Sequence, residues 1–524
     1  MSDPTSRAGR GETQPGVVAT GREGPPERRS APAQMAPSEF RRIGYGLVDR
    51  IASMFERLPS RPATARRTAA QVAELLHPDA LPETGTDALR VLERACDLLG
   101  EHSASTSHPR FWAYIMGAAN PLGALADLLA SAVNPPVTSF ATGPLAVAIE
   151  AQTVRWLADL VGYPSGGSGV LLSGGSVANF AAIRTALQAR AGWDVREMGI
   201  TGERGAKLRL YVSGEAHASV ISGARACGLG AVAVRSVAVD SLGRMKAAEL
   251  ERCLDEDVKS GGKPFMVVAT AGTTATGAID PLSRLAEICE ERGCWFHVDG
   301  SYGGFATMSS EAPPELGAMA RGDSLTIDPH KWLYIPADVG CLLTRHRAAL
   351  RDAFRQEAHY YGENDEQRAL GGPEVLQFRD LGPETTRRFR ALKVWVCLQA
   401  FGREGYARMI DDDIRLARRL FEVVTAEREL EARTHHLSIV TFRYVPTDLS
   451  AQEPAHFDHL NKLNRAILAA MQSSGTAFPS HVVLDGDVLL RVCIVNCNTV
   501  LDDIEALPRQ IIALGRTIDA TLRP

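Results

Sequence analysis

Apolar side chains fall at helical spacing from Ser38 onward, where Phe40, Ile43, Leu47, Ile51 and Met54 lie three or four apart with Arg41, Arg42, Asp49 and Arg50 between them. Pro59, Pro62 and Pro78 interrupt the chain, and a second helical run is predicted from Asp87 to Leu99. The middle of the chain alternates helical runs with short β-branched stretches. Strands are predicted at Val170 to Leu172, Leu208 to Val212, Phe265 to Thr270, Trp295 to Val298, Leu325 to Ile327 and Cys341 to Leu343. That alternation predicts an α/β fold, with a mostly parallel central sheet and helices on both faces. One intervening helix is well marked: Asp280 reads as its N-cap, Pro281 as its first residue, Leu282, Leu285 and Ile288 as its stripe and Gly293 as its end.

Beyond Gly382 the pattern predicts two helices, Thr386 to Phe401 and Tyr406 to Thr425, then strands at Ser438 to Arg443 and Val488 to Val495. These form a candidate small α/β C-terminal domain, residues 386–524, after a large domain at 111–385 and an N-terminal helical segment at 36–110. Residues 1–35, rich in Pro, Gly, Ser, Arg and Glu, bury too little apolar surface to offset ordering entropy and are expected to be a disordered extension.

Composition narrows the partners. With 57 basic and 62 acidic residues the net charge is -5, so no electrostatic footprint for nucleic acid or an anionic membrane is present. No apolar run reaches the roughly 18 residues of a membrane span, and the N-terminus has no apolar secretory core. Nine scattered cysteines, an odd number without metal-like spacing, favour free thiols in a reducing cytoplasm and no metal site. A small-molecule partner is expected.

In open α/β sheets ligands collect beyond the carboxyl ends of strands, so the residues that follow the predicted strands are the candidates. After the first comes Ser173-Gly174-Gly175-Ser176, opening a helix expected to point Val177, Phe180, Ile183 and Leu187 inward. Such a turn aims backbone N–H groups and a helix dipole at one point, which suits a phosphate, although a tight turn needs no ligand. His217 follows the second strand, where an imidazole can stack on a flat ring, hydrogen-bond a carboxylate, or cap a helix. Asp299 ends the Trp295 strand, and a carboxylate there needs a cation or several donors unless it is itself a cap. Lys331 lies between the last two strands, flanked by His330 and Trp332. Partial desolvation and nearby cations would make its amine a nucleophile for Schiff-base chemistry on a carbonyl cofactor. Lysine, carboxylate, anion cradle and ring-facing group together are the set that pyridoxal phosphate requires.

These motifs carry a resemblance. Pro329-His330-Lys331-Trp332, His297-Val298-Asp299, Ala216-His217-Ala218-Ser219, Gly272-Thr273-Thr274, His108-Pro109-Arg110-Phe111 and the run Arg388 to Trp395 resemble those of the group II pyridoxal-phosphate-dependent amino acid decarboxylases. That family includes the aromatic-L-amino-acid, histidine and glutamate decarboxylases, and the similarity runs from about Glu39 to about Asp503. The resemblance implies the aspartate aminotransferase fold type I, pyridoxal 5'-phosphate as cofactor, and a homodimer with the N-terminal helices packed across it. It implies that Lys331 carries the Schiff base, that Asp299 pairs with the ring nitrogen, and that His217 stacks on the ring and helps hold the substrate carboxylate. By the same likeness Thr274 lies near the ring, and Gly174, Gly175, Ser176, His330 and Asp328 surround the phosphate. Tyr114, with Trp112 beside it, lines the substrate pocket.

Departures bear on substrate and product. Phe378 stands nearest the place of the family's loop tyrosine, which helps protonate the carbanion. A phenylalanine there suggests oxidative conversion to an aldehyde as the alternative to amine formation, unless Tyr360 or Tyr361 supplies the hydroxyl. Gly300-Ser301 replaces a pair of alanines, Ile115-Met116-Gly117 a Phe-Pro-Thr, and Ala218 a serine, and these changes are expected to affect substrate choice. A fold of this kind that binds the cofactor without turnover, as scaffold or sensor, is the alternative of another class.

Overall fold

The computed structural model describes residue 31 and residues 33–76, 80–164, 166–356 and 376–523. The expected extension lies largely outside the described residues, as do Tyr360 and Tyr361. One compact unit joins the described residues up to Phe55 with Ala80–Asp97. It is built on helices α1 (Pro37–Arg57) and α2 (Ala88–His102), where Arg50 donates to Glu93 at 3.0 Å and Asp97 at 3.1 Å. Ile43 is the buried member of its apolar stripe, whereas Phe40 is 57% exposed.

The second unit holds Glu56 to Leu76 and the described residues from Leu98 onward. Its larger sheet contains β1 (Ser168–Leu172), β2 (Leu208–Ser213), β3 (Val234–Val237), β4 (Lys263–Thr270), β5 (Trp295–Asp299), β6 (Ser324–Ile327) and β7 (Gly340–Thr344). Their spatial order is β1-β7-β6-β5-β4-β2-β3. Pairings from β3 across to β6 are parallel, while β7 runs antiparallel to both β6 and β1. Strand side chains alternate between two cores: Leu171, Tyr211, Val267 and Leu325 pack on one face, and Val170, Leu210, Val212 and Met266 on the other. Burial on both faces explains why these strands read as continuous apolar runs rather than alternating ones.

The helix α3 (Gly175–Arg190) follows β1 directly, and its burial is broader than the expected stripe. Ile183 and Leu187 are fully buried, but so are Ala178, Ala181, Ala182 and Ala186, while Val177 and Phe180 are only partly covered. Small side chains let this helix lie close against the sheet, so an inward stripe is not what positions it.

Asp280 is not an N-cap. The helix α4 begins at Leu282 and runs to Arg292, and the buried Asp280 carboxylate instead accepts the N–H groups of Met245 at 2.6 Å and Thr270 at 2.8 Å. Burial pushes this carboxyl up to about 6 despite those two donors. It thereby ties the end of β4 to the neighbouring loop.

The two helices expected after Gly382 are present: the run α5 (Arg390–Ala426) is divided into two at Gly402, whose φ of 63° and ψ of 174° leave the helical region. It starts later than Thr386 because Arg387 turns inward. Its guanidinium pairs with Glu150 and donates to Leu171 O at 2.7 Å and Val137 O at 3.2 Å, with both ionic side chains 1% exposed. The chain closes on an antiparallel sheet ordered β10 (Ser480–Leu484), β11 (Asp487–Cys493), β9 (Ile439–Tyr444) and β8 (Leu430–His436).

Candidate active site

Five chain segments meet beyond the carboxyl ends of the parallel strands. β1 leads into the Ser173–Ser176 turn, β2 into His217, β4 into Gly272 and Thr274, β5 into Asp299 and Ser301, and β6 into the turn carrying Asp328, His330 and Lys331. All of these residues line one cavity of about 390 Å³, together with Val177, Ser219, Thr270 and Tyr302. The volume falls in the range of small-molecule and cofactor sites.

Asp299 is 5% exposed and would be costly to bury without partners. Its Oδ1 accepts from the Ser301 hydroxyl at 2.6 Å and the Ser301 N–H at 3.1 Å, and its Oδ2 accepts from Asn179 Nδ2 at 2.9 Å. Burial pushes the carboxyl up. The Lys331 charge, the Ser301 and Asn179 donors and His297 outweigh that and hold it below its ordinary value. The site therefore keeps an anion at neutral pH. His297 belongs to the support: burial lowers its imidazole to about 4, and the neutral ring bridges Ser324 Oγ at 2.8 Å and Asn179 Oδ1 at 3.2 Å.

Asn179 was not legible as a site residue. Its signal was a polar side chain one turn after Gly175 on an otherwise small and apolar helix face. Ser301 has a role beyond the expected effect on substrate choice: its hydroxyl and N–H serve the carboxylate that faces the cavity.

His217 meets its capping reading and stands at the cavity that its other readings need. It caps the helix Ala218–Ala226, with Nδ1 accepting the Ser219 N–H at 3.2 Å, and it lines the cavity. Accepting at Nδ1 places the proton of a neutral ring on Nε2, which has no partner among the described residues. His330 Nδ1 donates to Val339 O at 2.6 Å, fixing the opposite tautomer.

Lys331 lies on the single helical turn Pro329–Trp332 and is partly exposed to the cavity. Its nearest charged partner is an anion, Asp328 Oδ2 at 3.1 Å, rather than the cations expected from sequence. Trp332 on the same turn stacks on Tyr302 with centroids 4.8 Å apart and donates Nε1–H to Asp413 at 2.8 Å. Tyr334 O–H donates to the same carboxylate at 2.7 Å, so the residues after Lys331 are anchored to α5.

Three expected substrate contacts are placed elsewhere. Trp112 is 1% exposed in the C-terminal core and donates Nε1–H to Thr499 Oγ1 at 3.1 Å, so it cannot line the cavity. Phe378 is fully buried among the residues around β1, with the Arg387 guanidinium 5.0 Å over its ring. Tyr114 is 61% exposed with φ 57° and does not line the cavity of this chain. Arg491 clamps its backbone, donating to Tyr114 O at 2.8 Å and Ala275 O at 3.0 Å.

The residues present fit pyridoxal phosphate. Gly175 leaves a cradle that a Cβ would fill, meeting Asp328 Oδ2 and Ser301 Oγ at 2.7 Å. Thr270 Oγ1, on the cavity wall, is buried without a partner. A primary amine, an ionised carboxylate for a ring nitrogen and a glycine-rich helix start complete the donor set.

Comparison with known proteins agrees with that geometry. Residues 70–445 match the family model described as the pyridoxal-dependent decarboxylase conserved domain. Over 486 residues the chain is 33% identical to an aromatic-L-amino-acid decarboxylase of Bacillus atrophaeus, covering 93% of this chain and 97% of that protein. It is 27% identical to a phenylacetaldehyde synthase of a Rosa hybrid cultivar, covering 87% of this chain and 90% of the other. The crystal structure of mouse CSAD in apo form superposes with a TM-score of 0.81 at 27% identity, covering 90% of this chain and 99% of that one. A lysine, a buried carboxylate and an anion cradle at the strand ends, on a chain matched over these lengths, identify it as a member of the pyridoxal-dependent decarboxylase family.

Proposed function

We propose that Lys331 bonds the cofactor and that this amino acid decarboxylase acts on an aromatic L-amino acid, releasing the amine and carbon dioxide. One observation carries the reading: the only lysine or arginine among the cavity-lining residues shares that cavity with the buried, ionised Asp299. When bound, pyridoxal phosphate supplies an electron-withdrawing ring that takes up the charge left at the α-carbon as the carboxyl group departs. Asp299 would hold the proton on the ring nitrogen, and Gly174, Gly175 and Ser176 would present the helix start to the phosphate. His217, on the cavity wall, would face the ring and offer Nε2–H to the substrate carboxylate. Thr274 and His330 border the same space.

An aromatic substrate is supported by the 33% identity to the Bacillus enzyme. The sequence argument for an aldehyde is weakened by the placement of Phe378, which is buried under Arg387 and does not line the cavity. The likeness to the rose phenylacetaldehyde synthase keeps the aldehyde as the outcome to test against. Incubation with aromatic and acidic amino acids, with amine, aldehyde, peroxide and carbon dioxide all measured, is expected to give amine and carbon dioxide in equal amounts from an aromatic substrate. Stoichiometric aldehyde and peroxide without amine would overturn the product, and turnover confined to acidic substrates would overturn the substrate class.

A homodimer in the cytoplasm completes the proposal. The helix Pro121–Val133 exposes Leu125, Leu128, Leu129 and Val133, each at least 48% exposed, and Phe40 and Tyr45 of α1 are exposed as well. Such apolar faces favour a self-complementary partner surface. All nine cysteines are unpaired, and among the described residues no helix is long and apolar enough to cross a membrane. Sedimentation is expected to give twice the chain mass. A stable, active monomer would reject the dimer.

A further inference from the structure

Asp328 fits poorly among the groups expected around a phosphate. It is 1% exposed and occupies the N-cap position of the Pro329–Trp332 turn, yet its carboxylate makes no capping bond. The carboxylate is turned inward. Oδ2 meets Lys331 Nζ at 3.1 Å, while Oδ1 is buried without a hydrogen-bond partner. Two glycines leave the room it occupies: a Cβ at Gly340 would come within 2.6 Å of Oδ1, and one at Gly175 within 2.7 Å of Oδ2. A buried carboxylate with one cation in reach is expensive unless that cation stays, and as an acceptor-only group it repels a phosphate.

The other charged and titratable groups facing it are few. His330 Nε2 on the same turn lies at 4.0 Å. The Cys341 thiol on β7 is neutral, raised well above its ordinary value by burial, with Glu150 and Asp328 adding to the rise. From the end of β5, Ser301 has its hydroxyl committed to Asp299, a second carboxylate that the Lys331 charge also reaches.

We propose that Asp328 is a further catalytic residue of this site: it is the proton acceptor and counter-ion of the Lys331 nitrogen, not a contact of the cofactor's phosphate. The inference rests on Lys331 bonding the cofactor. A proton passes from Lys331 Nζ to Asp328 Oδ2, breaking an N–H bond and forming an O–H bond, so that the nitrogen lone pair becomes available. The proton returns when that nitrogen needs its charge again. Asp299 and Asp328 thus divide the work, one serving the ring nitrogen and the other the lysine nitrogen.

The test is a pH series on the visible absorption of the Lys331–cofactor Schiff base, with Asp328→Asn as the isosteric neutral variant and Asp328→Ser as the second. In both, the midpoint at which the protonated band is lost is expected to fall by about one pH unit or more. Binding of pyridoxal and of pyridoxal phosphate to the cofactor-free protein should weaken in the same proportion. An unchanged midpoint would overturn the inference. So would tighter binding of pyridoxal phosphate alone, as expected on removing an anion from beside a phosphate. Should Lys331→Ala retain the visible band, the Lys331 reading itself fails. A band that needs Lys331 but ignores Asp328 rejects only the role of Asp328.

Discussion

Lys331→Ala is expected to lose the visible absorption of the cofactor-bound protein and to lower kcat by roughly 10³-fold or more, the scale seen when an enzyme loses its nucleophile. The expectation follows from the wall of the cavity, where Lys331 is the only primary amine among the lining residues. The fold around it is set by other groups: Trp332 and Tyr334 are held by Asp413, and the backbone N–H of Lys331 bonds to Asp328 O at 2.9 Å. Alanine leaves Asp328 as an uncompensated buried charge, with a stability cost on the order of 3–5 kcal/mol. Lys331→Arg separates the two effects, because a guanidinium keeps the charge but cannot form the imine. Both variants should lack a cofactor adduct fixed by borohydride, while the arginine variant should melt closer to the parent. An adduct retained in the alanine variant, seen by mass spectrometry after reduction, would remove Lys331 from this role.

The same lysine shows which features were legible in the sequence. Strands buried on both faces announced themselves as apolar runs, and β1, β2, β4, β5, β6 and β7 were all placed to within three residues at either end. The strands that escaped, β3, β8 and β10, all lie at sheet edges. Their sequences, Val-Arg-Ser-Val, Leu-Glu-Ala-Arg-Thr-His-His and Ser-His-Val-Val-Leu, mix polar and apolar residues because much of each strand is not deeply buried. β1 is an edge strand as well, yet four of its five residues are buried, and it was legible. Burial, not position in the sheet, made a strand readable.

The site followed a related rule. Residues directly after strand ends were found because topology alone brings such ends together. Asn179 was missed because it reaches Asp299 across 120 positions of sequence from inside a helix. Trp112 and Phe378 were misplaced for the converse reason, since a large aromatic residue near a motif carries the same pattern whether it faces a ligand or a core. The direction of the Asp328 side chain was equally beyond pattern: it depends on the absence of a Cβ at Gly340, a residue 12 positions away on β7.

The second large effect belongs to Asp299. Asp299→Asn preserves shape but removes the charge that holds a proton on the ring nitrogen, and kcat is expected to fall on the order of 10²–10³-fold, the scale for losing one preorganised electrostatic contact. The present carboxyl lies below its ordinary value, so it stays ionised throughout the neutral range and its loss is not mimicked by mild acid. Lys331 is untouched, so the visible band should persist, and the loss should appear in kcat more than in KM because the charge acts as the carboxyl group departs. Removing the Ser301 hydroxyl alone should cost less, since the Ser301 N–H and Asn179 still serve the carboxylate. A cofactor analogue whose ring nitrogen carries a fixed positive charge should recover part of the activity in the asparagine variant, because it no longer depends on a carboxylate to stay charged. An asparagine variant with undiminished kcat would show that the ring nitrogen needs no partner here, and the buried anion would then have to be explained by folding alone.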